Sequence, residues 1–415
     1  MFRRTKIVAT LGPASSDADL LARLIDAGVN VFRLNFSHGS ADDHRAVAAR
    51  VREQADAQAR NVAILADLQG PKIRIARFRD GPVMLEPGQP FTIDTALDKE
   101  AGDSGQVGTD YAGLADDCRA GDTLLLNDGL LALSVENVAG SRVECRVLVG
   151  GELSNNKGIN RQGGGLNAQA LTDKDREDIK LAASLEVDFL ALSFPRHADD
   201  IHQARALDRF VITATQMMES MIHSPQPTRA EVSDVANAVL DGTDAVMLSA
   251  ETAVGDYPVA TVQAMDRIIL GAERTYQSRP SEDRPEQGMS HNDEAIARAA
   301  MHVANHLSGV KAIIAMTETG TTPRLMSRVR SGMPIFAFTP DPRTRRRVAI
   351  YRGVEPQHFE MASDPGQVNR EAADQLQRLG LVEDGDRLIL TKGDAVRVGG
   401  GTNTLKIITV GEAGD

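Results

Sequence analysis

The chain has 415 residues, of which 42% are hydrophobic and 25% charged, and its formal net charge is −12. These values are typical of a globular protein with about two or three domains and a large core. The negative charge argues against nonspecific binding to nucleic acid or to an anionic membrane. The amino-terminal segment lacks the apolar stretch of a signal peptide and no later run could span a bilayer, so we expect a cytoplasmic protein.

Strands and amphipathic helices alternate over the first part of the chain. The apolar runs at Lys6–Gly12, Val29–Gly39 and Asn61–Arg74 predict three strands, with helical patterns between them. Nearly continuous apolar strands separated by helices indicate a parallel sheet that is covered on both faces. Polar residues gather at the carboxyl ends of these strands, where (β/α)₈ barrels place their active sites.

The pattern then changes twice along the chain. Residues 70–165 are rich in glycine and short strands, which predicts a small inserted β-barrel domain. The helix and strand alternation resumes at residues 166–275, which we assign with residues 1–69 to the barrel domain. Residues 276–415 begin with a polar linker and continue as a smaller α/β domain. The predicted fold class is α/β, with a (β/α)₈-type barrel, an inserted β domain and a carboxyl-terminal α/β domain.

Six long motifs resemble the pyruvate kinase family and occur in the family's order. They are FRLNFSHG at Phe32–Gly39, DLQGPKIR at Asp67–Arg74, NNKGIN at Asn155–Asn160, VITATQMMESMI at Val211–Ile222, DAVMLSAETAVGDYP at Asp244–Pro258 and TETGTTP at Thr317–Pro323. The resemblance covers nearly the whole chain and is to bacterial members. It implies the glycolytic transfer of a phosphoryl group from phosphoenolpyruvate to ADP, giving pyruvate and ATP. It also implies Mg²⁺ or Mn²⁺ as cofactor and a homotetramer.

The resemblance assigns roles to individual residues in these motifs. Arg33 and Arg74 match the family's phosphate-binding arginines, and a guanidinium holds its charge while binding phosphate oxygens bidentately. Thr215 matches the threonine beside the enolate carbon, a proton-relay position. The alternatives are surface salt bridges for the arginines and an ordinary strand hydroxyl for Thr215. His38 and Lys157 resemble nucleotide-side contacts, with Lys157 approaching the phosphates when the inserted domain closes.

A second group of residues bears on the monovalent cation of the family. Asn35, Ser37 and Asp67 match three of its oxygen ligands, and hard cations prefer such oxygens. The chain has Leu68 where many relatives have threonine, and Lys72 where they have glutamate. This combination resembles the members that need no potassium, because a fixed ammonium supplies the positive charge. We therefore predict no K⁺ requirement.

The carboxyl-terminal domain contains a hydroxyl-rich loop. Thr317, Thr319, Gly320, Thr321 and Thr322 place hydroxyls and backbone N–H groups ahead of a predicted helix. Such an arrangement can bind phosphate, although it is also typical of an ordinary capped helix. In the family this place binds a phosphorylated effector. The resemblance therefore implies allosteric activation by a sugar phosphate or a nucleotide monophosphate.

A helical pattern and a strand pattern meet without a loop at Arg209-Phe210. The predicted strands resemble the first four and the last two of the family barrel, so two βα units are missing after Arg209. In the family, the missing strands end in Lys-Ile-Glu and Arg-Gly-Asp-Leu-Gly motifs, which supply the catalytic lysine and the divalent-metal ligands. Neither motif occurs in this sequence, and we find no other candidate metal ligands.

Three interpretations of this junction stay open. The sequence as written omits a segment of the protein, the chain carries a real deletion, or a smaller barrel has another function. Without the lysine and the metal anchors, we predict negligible kinase activity for the chain as written. A non-catalytic relative that binds the effector and assembles into oligomers is the alternative function.

Overall fold

A computed structural model describes residues 2–69, 73–163, 166, 173–191, 210–215, 217–276, 289, 291–329, 331–360, 365–393 and 401–412. Lys72 and Arg209, which the sequence analysis singled out, lie outside the described residues. The described residues up to Asp67, those of Leu181–Ala191 and those from Phe210 onward form one compact unit. Those of Leu68–Lys180 form a second unit.

Helices and strands follow one another in this order. The chain begins with β1 (Lys6–Leu11), α1 (Ala18–Asp26), β2 (Val31–Asn35), α2 (Ala41–Ala57) and β3 (Ala63–Asp67). It continues with β4 (Val83–Leu85), β5 (Pro90–Asp94), β6 (Gln106–Gly108), α3 (Leu114–Asp117), β7 (Thr123–Leu126), β8 (Leu131–Ala139), β9 (Arg142–Val149), β10 (Gly151–Leu153) and β11 (Ile159–Arg161). Then come α4 (Asp173–Ser184), β12 (Phe189–Ala191), β13 (Ile212–Thr213), α5 (Arg229–Leu240), β14 (Ala245–Leu248), α6 (Ala250–Ala253) and α7 (Pro258–Tyr276). The last elements are α8 (Asn292–His306), β15 (Val310–Met316), α9 (Thr321–Ser327), β16 (Ile335–Thr339), α10 (Pro342–Val348), β17 (Val354–His358), α11 (Pro365–Arg378), β18 (Arg387–Gly393) and β19 (Thr402–Thr409).

Capping residues explain where helices α1, α2 and α5 begin. The Asp17 side chain caps α1 by accepting hydrogen bonds from the first-turn N–H groups. Ser40 and Asp43 form a reciprocal capping box at the start of α2, and Thr228 and Glu231 do the same for α5. These caps fix the helix starts, so the strands that precede the helices end at defined positions. None of the helices that the structure describes is long and apolar enough to cross a membrane.

The barrel part is a six-stranded parallel sheet in the order β12-β3-β2-β1-β14-β13. This order corresponds to strands four, three, two, one, eight and seven of a (β/α)₈ barrel, so β12 and β13 are the edges of an incomplete barrel. The rings of Phe189 in β12 and Phe210 before β13 meet edge to face, with centroids 5.4 Å apart. The sheet is therefore curled enough for its two edges to approach at their amino-terminal ends. The predicted fold class, with two βα units missing, is confirmed.

Two buried aspartates connect the edges of this sheet to the carboxyl-terminal part. Asp188, just before β12, forms an ion pair at 3.0 Å with Arg346 of α10. Asp244, just before β14, forms a bidentate ion pair with Arg328, which follows α9. Asp244 Oδ2 also accepts a hydrogen bond at 2.7 Å from the Val211 N–H, at the start of the β13 edge. Both edges are thus anchored by arginines from the same neighbouring domain.

The carboxyl-terminal part contains a five-stranded sheet in the order β17-β16-β15-β18-β19, in which β19 alone runs antiparallel. Its inner face shares one hydrophobic cluster with the barrel strands, including Val8, Val31, Ile313 and Ala337.

The second unit holds a six-stranded, mainly antiparallel sheet in the order β11-β7-β8-β9-β5-β6 and the two-stranded sheet β10-β4. This is the all-β domain that the glycine-rich stretch predicts.

Candidate active site and effector loop

Arg33 is the central residue of β2 and is held by side chains of both neighbouring strands. Its Nε and Nη2 atoms lie 2.8 Å and 2.7 Å from Oδ2 of Asp67, the last residue of β3. Its Nη1 atom donates to Oγ1 of Thr10 in β1 at 3.1 Å. Because the side chain is only 13% exposed and is held from both neighbouring strands, its orientation is set before any ligand arrives.

The predicted cation ligands lie together at the ends of β2 and β3. Asn35 Oδ1 accepts a hydrogen bond at 3.1 Å from the Ser37 N–H. The Phe36 N–H donates to the Asp67 carbonyl at 2.9 Å, which ties the loop after β2 to the end of β3. Asp67 Oδ2 is bonded to Arg33, so a monovalent cation would share these oxygens with protein donors. The guanidinium of Arg33 already supplies positive charge at this carboxylate.

Thr215 lies just beyond the carboxyl end of β13 in a strained conformation. Its φ of +70° is in the left-handed region, which β-branched residues rarely adopt. Its exposed hydroxyl donates to the Ala214 carbonyl at 2.6 Å. Strain of this kind costs about 1–3 kcal/mol and clusters at functional sites. The conformation supports a role for Thr215 beyond that of a strand residue.

His38 is exposed on the loop after β2. Its carbonyl is hydrogen-bonded to His44 Nε2 at 2.9 Å, and the Phe36 and His44 rings are in tilted contact with centroids 4.4 Å apart. The loop is therefore braced by α2 while the His38 side chain faces solvent. This position is open to a ligand and remains a predicted nucleotide contact.

Arg74 and Lys157 are neighbours within the second unit. Arg74 pairs with Gly158 in an antiparallel bridge, and the Ile75 N–H donates to the Lys157 carbonyl at 2.9 Å. Arg74 Nη1 donates to the Asn156 carbonyl at 3.3 Å. Both predicted cations are half-buried rather than fully exposed. The bridge therefore brings two positive side chains to adjacent backbone positions.

The effector loop, residues 317–322, is held by its own hydroxyl groups. Thr317 Oγ1 accepts from the Gly320 N–H at 2.9 Å, and the hydroxyls of Thr319 and Thr321 lie 2.9 Å apart. Gly320 has φ +83°, a left-handed conformation that glycine adopts without strain. The loop thus presents exposed and half-buried hydroxyls at the start of α9.

Thr322 differs from the other predicted effector residues. Its side chain is buried at 3% exposure, and its hydroxyl lies 2.8 Å from that of Thr402 in β19. On the other side of the loop, Thr344 of α10 donates to the Glu318 carbonyl at 2.7 Å. Thr322 therefore fastens the loop to the sheet, while Thr319 and Thr321 lie nearer the surface.

No group of three histidine, cysteine, aspartate or glutamate side chains that could hold a metal ion occurs in the described ranges. His302 and His306 stack on the exposed face of α8 with ring centroids 4.2 Å apart.

The sequence analysis did not single out Thr10, Asp188 or Asp244. Thr10 is visible in the sequence as a hydroxyl between apolar residues of β1, but its partners, like those of the aspartates, are set by tertiary structure.

An incomplete (β/α)₈-type barrel, an inserted β domain and a carboxyl-terminal α/β domain together define the class of protein by its architecture. Family models agree: pyruvate kinase, barrel domain, matches residues 2–209 and 201–262, and pyruvate kinase, alpha/beta domain, matches residues 294–408. The chain belongs to the pyruvate kinase family, glycolytic enzymes that transfer a phosphoryl group from phosphoenolpyruvate to ADP.

Individual relatives match the chain over nearly its full length. It is 47% identical to pyruvate kinase II of Salmonella typhimurium, with 98% of this chain and 99% of that protein covered. It is 44% identical to the pyruvate kinase of Haemophilus influenzae, with 94% and 96% covered. A crystal structure of a pyruvate kinase from Cryptosporidium parvum superposes with a TM-score of 0.86 at 30% identity, covering 98% of this chain and 96% of that one.

The alignments also locate a shortfall. The match to the Salmonella protein runs over 474 aligned positions, 59 more than the 415 residues of this chain. The barrel-domain match is split into two segments that meet at residues 201–209. Two βα units of about 30 residues each account for a shortfall of this size. The position agrees with the junction predicted from the sequence and with the two sheet edges.

Proposed function

We propose that this chain retains the phosphate-binding part of a pyruvate kinase active site and lacks the groups that drive phosphoryl transfer. The observation that carries the proposal is the geometry of Arg33 in β2, held by Asp67 of β3 and Thr10 of β1. A pre-oriented guanidinium neutralises phosphate charge without reorganising when the ligand binds. The family resemblance makes phosphoenolpyruvate the proposed ligand of this guanidinium.

The family resemblance suggests roles for further residues. Arg74 and Lys157 match family positions that supply cations to the phosphates, and His38 matches a nucleotide contact. Thr215 would relay a proton near the enolate carbon, as the family resemblance implies, and its left-handed backbone is of a kind that clusters at functional sites. Asn35, Ser37, Asp67 and Lys72 would form the monovalent-cation region, with the Lys72 ammonium making K⁺ unnecessary. The assignment of Lys72 rests on the family resemblance alone, and those of the other residues rest on the resemblance together with the geometry given above.

Divalent metal is general in the family, so Mg²⁺ or Mn²⁺ is the cofactor that the resemblance implies for a member with a complete barrel. The described residues do not fit such an ion, because they contain no cluster of three potential ligands. In the family, the anchors belong to the strands that are missing here. We therefore derive no catalytic step through a metal, and we expect phosphoryl transfer by the 415-residue chain to be negligible.

Regulation and assembly form a second part of the proposal. Thr317, Thr319, Gly320 and Thr321 would bind the phosphate of a sugar phosphate or a nucleotide monophosphate, with Thr322 fastening the loop. The protein would act in the cytoplasm as a homotetramer. The ordered effector loop, beside an incomplete barrel, also favours a non-catalytic, effector-binding role. Thermal stabilisation by a sugar phosphate, without pyruvate formation, would support that second function.

Calorimetric titration with phosphoenolpyruvate tests the proposed phosphate site. Arg33→Met should weaken binding by at least about tenfold, because a charged hydrogen-bond partner of the phosphate is lost. Arg45→Met, which alters an exposed arginine of α2, is the matched control and should leave the affinity unchanged. Equal affinities for the unaltered chain and Arg33→Met would refute the role of Arg33. Pyruvate formation in the same preparations would refute the loss of catalysis.

A further inference from the structure

Thr10 is a buried polar residue between the apolar residues Ala9 and Leu11 of β1. It is 4% exposed in β1, and its Cα position is paired in register with Arg33 of β2. Its Oγ1 atom lies 2.8 Å from the carbonyl oxygen of Leu248 in β14 and 3.1 Å from Nη1 of Arg33. The hydroxyl therefore bridges two neighbouring strands of the sheet.

The direction of both hydrogen bonds is fixed by chemistry. The Leu248 carbonyl has no proton to give, so the Thr10 hydroxyl must donate to it. The lone pairs of the same oxygen then accept from Arg33, which can only donate. Leu248 thus determines which way the Thr10 hydroxyl points, and Thr10 in turn presents an acceptor to the guanidinium.

Asp67 completes the clamp from the other side. A guanidinium has five N–H donors, and in the described structure Asp67 engages those on Nε and Nη2 while Thr10 engages one on Nη1. The Arg33 guanidinium is thus held from β1 and from β3 at the same time. These contacts also fix the directions of the other N–H bonds on its terminal nitrogens. A ligand phosphate then meets an arginine that loses little rotamer freedom on binding.

We propose that Thr10 is a positioning residue for the phosphate contact of Arg33, acting through the hydrogen bond to Nη1 and directed by the Leu248 carbonyl. The inference rests on the proposed function of Arg33 in binding phosphoenolpyruvate. It adds a residue of the first barrel strand to the site. Thr10 itself does not touch the substrate.

The test is a calorimetric titration of the purified 415-residue chain with phosphoenolpyruvate. Thr10→Val keeps the branched shape but removes the hydroxyl, and it should weaken binding by about tenfold. Thr10→Ser keeps the hydroxyl and should bind within about twofold of the unaltered chain. In an Arg33→Lys background, which removes Nη1, Thr10→Val should have almost no further effect.

The outcomes separate this inference from the function on which it rests. If Arg33→Lys weakens binding but Thr10→Val does not, the positioning role is wrong and the role of Arg33 stands. The positioning role is also wrong if Thr10→Val weakens binding equally in both backgrounds, because the effect is then a general loss of structure. If the unaltered chain shows no binding that depends on Arg33, the proposed phosphate site fails and the inference fails with it.

Discussion

At the residue scale, Thr215 combines a functional assignment with backbone strain. A branched side chain at φ +70° is unfavourable, whereas glycine adopts this conformation freely. We predict that Thr215→Gly is more stable than Thr215→Ala by about 1 kcal/mol, because alanine retains the steric penalty of its Cβ. Urea denaturation of the two variants measures the difference, with hydroxyl loss common to both. Equal midpoints would show that the backbone at residue 215 is unstrained.

Gly320 offers a second prediction about a single residue. A Cβ at this position would lie 2.8 Å from Cγ1 of Val348, a fully buried side chain of α10. Gly320→Ala should therefore lower the free energy of unfolding by about 2–4 kcal/mol, through left-handed strain and overpacking together. Gly380→Ala is the matched control, because Gly380 has φ +68° with open space around it. A Gly320→Ala variant no less stable than Gly380→Ala would contradict the packing of the effector loop on α10.

Much of the site at this scale could be predicted from sequence. Arg33, Asn35, Ser37 and Asp67 fall in motifs at strand ends, and the structure brings these four together. Thr10 was missed, because a single hydroxyl in an apolar run carries no signal of its partner. Its function depends on which strand lies beside β1, and only the sheet order shows that.

At the element scale, the edge strands are the exceptional feature. In the described sheet, β12 pairs with β3 and β13 pairs with β14, which makes β12 and β13 its two edges. An edge strand presents unpaired backbone N–H and C=O groups on one side. The sequence predicts that these strands exist, but which strands form the edges depends on the sheet order.

The ion pair between Asp244 and Arg328, next to the start of β13, gives a prediction about the edge of the sheet. The side chains of Asp244 and Arg328 are 4% and 10% exposed, and Asp244 also bonds the Val211 N–H. Asp244→Asn leaves the Arg328 charge buried and should destabilise the chain by about 3–5 kcal/mol. Hydrogen exchange at the Val211 amide should accelerate as well. Urea denaturation and exchange mass spectrometry measure the two effects.

The control for this variant is an ion pair at the surface. Asp42 pairs with Arg45 on α2, and its side chain is 94% exposed. Asp42→Asn should leave the urea midpoint unchanged, because exposed pairs contribute little. If Asp244→Asn behaves like Asp42→Asn, the carboxyl-terminal domain does not anchor the open edge of the barrel. Asp244 and Arg328 lie more than 80 positions apart in the chain, so the sequence alone could not predict that they pair.

At the scale of the whole molecule, the missing units follow from counting strands. The sequence predicts a gap after Arg209, the sheet has its edges at β12 and β13, and the family match breaks at residues 201–209. Counting succeeds because parallel strands with helices between them are regular elements. The sequence could not show how an incomplete barrel is held, which depends on the carboxyl-terminal domain packing against it.

Restoring the missing units should restore catalysis. We predict that inserting the two corresponding βα units of a relative between Arg209 and Phe210 raises pyruvate formation by about a hundredfold or more, because it returns the lysine and the metal anchors. A matched insert in which that lysine is replaced by methionine should fold equally well and stay inactive. If both inserts raise the rate equally, or neither does, the explanation from missing groups is wrong.

The most direct test of the account combines intact mass with an assay on one purified preparation. The chain should have a mass of 44.5 kDa and should form no pyruvate above background from phosphoenolpyruvate, ADP and Mg²⁺. That result would establish a pyruvate kinase family member that lacks two βα units and the chemistry they supply. Sustained pyruvate formation by a preparation of that mass would contradict the account.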